Sequence, residues 1–173
     1  GVLSGSTAMM ERIFNSEYMT VGSGIQPFNA WLLIRGLRTL PARLDRITAS
    51  TKKVVDYLKE HPKVEAVLFP FDETFPQYQL ARQQMSGACG LLTFIIKAET
   101  ITQIEKFCES LQHIFMAVSW GGHESLIIPK CSGIQPAEFD AGNKEYRMLR
   151  LYVGLEEPEY LIKVLQQAFE KVV

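Results

Sequence analysis

Residues 30–37, Ala30-Trp31-Leu32-Leu33-Ile34-Arg35-Gly36-Leu37, are apolar nearly all round a helix. A surface helix of a small domain shows one apolar stripe, whereas a helix greasy on every side is buried between two masses of protein. The helix that follows has the ordinary pattern. Leu44, Ile47, Thr51, Val54 and Leu58 recur at three- and four-residue steps, with Lys52, Lys53 and Lys59 off the stripe as a solvated face. The chain is therefore expected to be a domain surface joined to a segment that packs against something else. Pro41 predicts a kink between the two helices, and His61-Pro62 ends the second. A mean hydropathy of +0.02 points the same way, since a lone small domain buries only a modest fraction of its surface.

Ahead of these helices, Ser6 or Thr7 can cap a helix through Phe14, with Met9, Met10, Ile13 and Phe14 on one face. Gly22-Ser23-Gly24 breaks it, and Pro27 suits a helical first turn. Beyond residue 62, Val64–Phe69 reads as a strand and 77–85 as a helix. Residues 90–97 read as a strand covered on both faces and 99–112 as an amphipathic helix. Short apolar pieces at 115–118 and 126–128, a strand at 148–153 and a helix opened by Pro158 complete the pattern. Strands and helices alternate without a strict βαβ repeat. The predicted fold is α+β: a mostly antiparallel sheet with helices on one face, preceded by long connecting helices.

Composition excludes several partners. Across 173 residues, 18 basic side chains face 19 acidic ones, which leaves no electrostatic reason to expect a nucleic acid or an anionic membrane. The longest apolar run, 91–96, is too short to span a bilayer. Cys89, Cys108 and Cys131 are too widely spaced for a metal clip and read as buried thiols in a reducing compartment. With no basic start or apolar core to the opening GVLSGS, a cytoplasmic protein is the expectation. A start on Gly1 fits either a piece of a longer chain or removal of an initiator methionine.

Three segments could carry chemistry. Ser119-Trp120-Gly121-Gly122-His123-Glu124-Ser125 gathers a hydroxyl, an indole, two glycines, an imidazole and a carboxylate. Glycine there permits positive φ or close approach to a ligand. His123 is by type a general base or ligand, but no HxH, HxxxH or HExxH spacing supports a metal site. Ser125 lies in no G-x-S-x-G elbow, so a hydrolase is set aside. In the second segment, 147–157, Arg150 interrupts an apolar strand. An unpaired guanidinium is costly to bury, so Arg150 must meet an anion, either a protein carboxylate or a ligand. In the third, Arg35 and Arg38 share a face of the apolar helix and are expected to pair with another domain.

In this order, PFNAWLLIRGLRTLPARLDR (27–46), SWGGHESLIIP (119–129) and RLYVGLEEPEYLIKVLQQAF (150–169) resemble the C-terminal part of the Cys/Met-metabolism pyridoxal-phosphate enzymes. That family includes cystathionine γ-synthase, cystathionine β- and γ-lyases and methionine γ-lyase. The resemblance implies the C-terminal domain of a fold-type I, aspartate-aminotransferase-like enzyme. Residues 1–25 would be a strand and helix ending the cofactor domain, 26–62 the connecting helices, and 63–173 the small domain. It also implies that Arg150 grips a substrate α-carboxylate, that the Ser119 hydroxyl assists, that Trp120 walls the pocket, and that Gly121 and Gly122 let the backbone turn beside it. For Arg150 it makes ligand pairing the expected reading.

The resemblance further implies that the Schiff-base lysine and most pyridoxal-phosphate ligands lie upstream, so no catalytic or cofactor-binding residue is expected in this chain. The partners implied are a sulfur amino acid, a preceding N-terminal cofactor domain and copies of the full-length protein, which is tetrameric in relatives. Trp120 in SWGG is similar to bacterial cystathionine β-lyases, while His123 departs from the usual Val or Tyr. The expected function is a trans-sulfuration C–S lyase, inactive as these 173 residues alone. The alternative is a ligand-binding or subunit-interaction module without catalysis.

Overall fold

A computed structural model describes residues 2–22 and 24–172. The expectations resting on Gly1 and Ser23 lie outside the described residues. The chain divides into two compact units, Gly1–Pro41 and Ala42–Val173.

In the first unit, α1 (Thr7–Ile13) is capped by Ser6, whose Oγ accepts from the Met9 amide. It runs on through a π-helical stretch, Phe14–Tyr18, into α2 (Met19–Val21) and stops at Gly22, which sits at φ +70°. Residues 2–6 form no strand, contrary to expectation; they have no strand partner among the described residues. Helix α3 (Pro27–Leu37) starts on its proline, and Phe28, Trp31, Leu32, Leu33, Ile34 and Leu37 are all exposed.

Helix α4 (Leu40–Glu60) is separate from α3, with the break at Arg38–Thr39 rather than a kink at Pro41. Pro41 falls in the first turn of α4, where its missing N–H leaves no intrahelical bond unmade. The expected stripe is borne out at Ile47, Thr51, Val54 and Leu58, all buried, while Leu44 is exposed. That stripe enters the core of the second unit, which begins at Ala42.

The second unit adds β1 (Val64–Leu68), α5 (Tyr78–Gln84), β2 (Leu91–Ile96), α6 (Ile101–Glu109), β3 (Phe115–Met116), β4 (Leu126–Pro129), β5 (Met148–Tyr152) and α7 (Pro158–Glu170). The strands form one sheet in the order β1-β2-β5-β4-β3, antiparallel except for the β3–β4 pair. One face of the sheet presents Leu92, Phe94, Ile96, Ile127, Leu149 and Leu151 to α4, α6 and α7. Phe169 of α7 lies 4.7 Å, ring to ring, from Phe107 and 6.2 Å from Phe94. The other face is less covered at its start: Leu91 and Thr93 are half-buried, while Ile95 on that face is buried, so β2 is sealed on both sides only toward its end. There a small cluster of Ile47, Leu126 and Tyr152 packs beside Arg150. Cys108 and Cys131 are buried and Cys89 is half-buried; burial pushes the Cys108 thiol up to about 12, where it is inert.

Ion pairs close the far end of the sheet. The Glu65 carboxylate on β1 binds Lys144 at 2.8 Å and Arg147 at 2.6 Å, and these two cations hold it below the usual carboxylate range. A lowered native pKa means stability that is present above the unfolded pKa and lost as pH falls through the native one. Glu65→Gln should therefore lower the urea midpoint at pH 7, and the gap from wild type should close below about pH 4. A gap independent of pH would contradict this role for the pair.

Candidate functional site

Strand β3 runs parallel to its neighbour β4, yet only residues 117–125 connect them. Parallel crossovers ordinarily need about a dozen residues or more. This one returns through a tight loop instead. Gly121 takes φ +91°, a value that L side chains rarely adopt, whereas Gly122 is not in that region. A Cβ on Gly122 would lie 2.7 Å from Glu124 Oε2.

The loop is tied to residues 150–156. Arg150 Nη2 donates to the carbonyls of Val118 (2.5 Å), Ser119 (3.3 Å) and Ala117 (3.5 Å). The Tyr152 hydroxyl donates to the Gly122 carbonyl at 3.0 Å, and the Leu155 amide to the His123 carbonyl at 2.8 Å. Ser125, fully buried, gives both its amide (2.7 Å) and its hydroxyl (2.8 Å) to the Glu156 carboxylate, while its Oγ accepts from the Gly154 amide at 2.9 Å.

Two arginines three residues apart have opposite surroundings. Arg147, with 11% of its side chain exposed, is neutralised by Glu65. Arg150 is half-buried, and among the described residues no carboxylate pairs with it. Its three bonds all use Nη2 and all go to neutral carbonyls, and among the described residues Nε–H and Nη1–H make no hydrogen bond. A guanidinium has five donors in a planar fork, suited to two parallel bonds with a carboxylate. Arg150 also lines a cleft of about 300 Å³ with Ile128, Pro129, Lys130, Ser132 and Met148. Lys130 there is bonded to Glu145 at 2.6 Å, so Arg150 is the cation in that cleft without an acidic partner.

The other expected site residues lie together on the loop. The carbonyl of Ser119, rather than its hydroxyl, is what meets Arg150. Trp120, 60% exposed, lies within the loop next to Gly121. His123 is exposed and meets Glu124 at 2.9 Å, and no group of metal ligands occurs among the described residues. Sequence reasoning missed Tyr152 and Glu156, whose partners lie 30 and 31 residues away. A larger cleft, about 960 Å³, lies between α4 and residues 69–89, where Lys59 and Asp72 are paired with each other at 2.5 Å.

The fold and loop belong to an established family. The family profile for Cys/Met metabolism PLP-dependent enzymes matches residues 1–170, and the chain is a member of that family. It is 35% identical over 99% of its length to a canavanine γ-lyase of Pseudomonas canavaninivorans and 36% identical over 88% to an L-methionine γ-lyase of Treponema denticola. It covers 44% and 39% of those proteins, so the chain spans about two fifths of the curated relatives it matches. Among solved structures, O-acetylhomoserine sulfhydrylase of Wolinella succinogenes shares the fold with a TM-score of 0.78 and 27% identity, over 94% of this chain and 44% of that one. A Campylobacter jejuni structure named an O-acetylhomoserine (thiol)-lyase and holding a pyridoxyl-lysine phosphate gives a TM-score of 0.79 at 28% identity, over 96% of this chain and 41% of that one.

Several lysines are tied within the chain: Lys53, Lys59, Lys130 and Lys144 are held by carboxylates, and Lys63 donates to the Phe169 and Val172 carbonyls at the end of α7. What the chain offers is a cationic fork beside a glycine loop. Gly154→Ala tests the anchoring of that loop, because the new Cβ would sit 2.4 Å from the His123 carbonyl, a backbone atom that cannot move aside cheaply. A stability loss of about 1–3 kcal/mol is expected in chemical denaturation. A neutral substitution would show that the loop is not held against β5.

Proposed function

We propose that the complete protein is a pyridoxal-phosphate-dependent carbon–sulfur lyase of sulfur amino-acid metabolism, and that this chain supplies its α-carboxylate site. The observation that carries the reading is Arg150: half-buried, bordering a cleft, and supplied among the described residues with carbonyl partners but no carboxylate. Its Nη2 is fixed by the loop, so the fork is already oriented, and a bidentate ligand need only meet the unused donors. Preorganised positioning of this kind lowers the entropy lost on binding. Ser119 and Trp120 complete the carboxylate end and Gly121 gives the loop its turn. The cofactor would be held by a preceding N-terminal domain, the assembly would be a homo-oligomer, and the enzyme would work in the cytoplasm.

A cystathionine β-lyase-like reaction is favoured by Trp120 in the SWGG motif. A γ-lyase is the second reading, favoured by the names of the canavanine and methionine γ-lyases among the relatives. Products from cystathionine separate them: β-elimination releases homocysteine and γ-elimination releases cysteine. The 173 residues alone, supplied with pyridoxal phosphate, should release no 2-oxo acid from cystathionine by either elimination. Release would overturn the assignment of the cofactor site to other sequence.

Binding tests the carboxylate directly. In titrations of the chain followed by NMR, L-methionine should shift the Arg150 side-chain signals and L-methioninamide should not. Arg150→Lys keeps the charge but loses the planar fork, and should weaken methionine binding by about tenfold, or ~1.4 kcal/mol. Equal response to acid and amide would remove the proposal.

A further inference from the structure

We propose that Glu156 is a positioning residue: by holding Ser125 it sets the loop 119–124 at the geometry in which the Ser119 carbonyl meets the Arg150 fork. The inference rests on the carboxylate-site reading above.

Three side chains from one stretch of β5 and its continuation grip the loop in order. Arg150 takes its start, Tyr152 its middle at Gly122, and Glu156 its end at Ser125. Of these, only Glu156 is an anion, and it accepts both hydrogen bonds that Ser125 can donate. Bonds to an ionised acceptor are about twice as strong as neutral ones. Ser125 then uses its oxygen to take the Gly154 amide, so one buried hydroxyl links the two segments in both directions. Residues 119–123 are all exposed and none enters the core. The position of the loop therefore depends on its anchors. Without the Glu156 carboxylate the loop would keep Arg150 at its start, Tyr152 at Gly122 and the Leu155 amide at His123, but Ser125 would lose the acceptor of both its donors and the return into β4 would be held more loosely.

Nitrogen-15 relaxation of the full 173-residue chain reads this out. In Glu156→Ala, backbone order parameters at 119–124 should fall from the rigid range near about 0.85 to below about 0.6, while β2 and α7 keep theirs. Glu156→Gln retains an acceptor for the Ser125 amide and should hold the loop closer to wild type. Affinity for L-methionine should fall about tenfold in Glu156→Ala with affinity for the amide unchanged, because displacement of positioning groups by about an ångström is costly. Should Glu156→Ala not fold, Ser125→Ala removes the hydroxyl bonds alone and should loosen the same residues. Order parameters unchanged at 119–124 in whichever variant folds would overturn the proposal. If the wild-type chain shows no preference for methionine over its amide, the carboxylate reading fails, and the relaxation result still decides the positioning role.

Discussion

A positive charge on the half-covered face of a sheet, satisfied only in part by neutral carbonyls, is the interaction around which the rest is arranged. Arg150 pairs across the sheet with Thr93 on β2 and Ile128 on β4, so its place is fixed by the register of the three central strands. The Phe94, Phe107 and Phe169 cluster on the opposite face makes that register costly to disturb. Loss of one such buried ring costs about 3–5 kcal/mol in other cores. The apolar half of each strand thus holds rigid what the polar half presents.

The contrast with Arg147 shows how the same side chain can be given different tasks. On the strand's approach, Arg147 is closed off by Glu65 and the Ile96 carbonyl and becomes part of the fold. Three residues later, Arg150 meets backbone oxygens that orient it and leave its charge uncompensated. Carbonyl dipoles relieve some of the desolvation cost of a half-buried cation, and a ligand carboxylate would relieve more.

Much of this was legible in the sequence because period and punctuation are local. The stripe of α4, the N-terminal prolines of α3 and α7 and the apolar β2 all declared themselves within a few residues. The two short apolar pieces at 115–118 and 126–128 were legible as β3 and β4, but the parallel direction of β3 was not, since two-residue pairing carries no periodicity. The loop was picked out by its composition, but not its anchors: Tyr152 and Glu156 act through partners some thirty residues away. For Arg150, sequence left a protein carboxylate or a ligand open, and carbonyl partners have no sequence signature at all. The exposed apolar face of α3, expected to lie between two masses of protein, belongs to a chain spanning about two fifths of its relatives.

The measurement that bears most directly on the account is a crystal structure of the complete protein with a sulfur amino acid bound. The account predicts both carboxylate oxygens about 2.7–2.9 Å from Arg150 nitrogens, with the 117–119 carbonyls still on Nη2. An amino acid seated elsewhere, with Arg150 neutralised by a protein carboxylate, would contradict it.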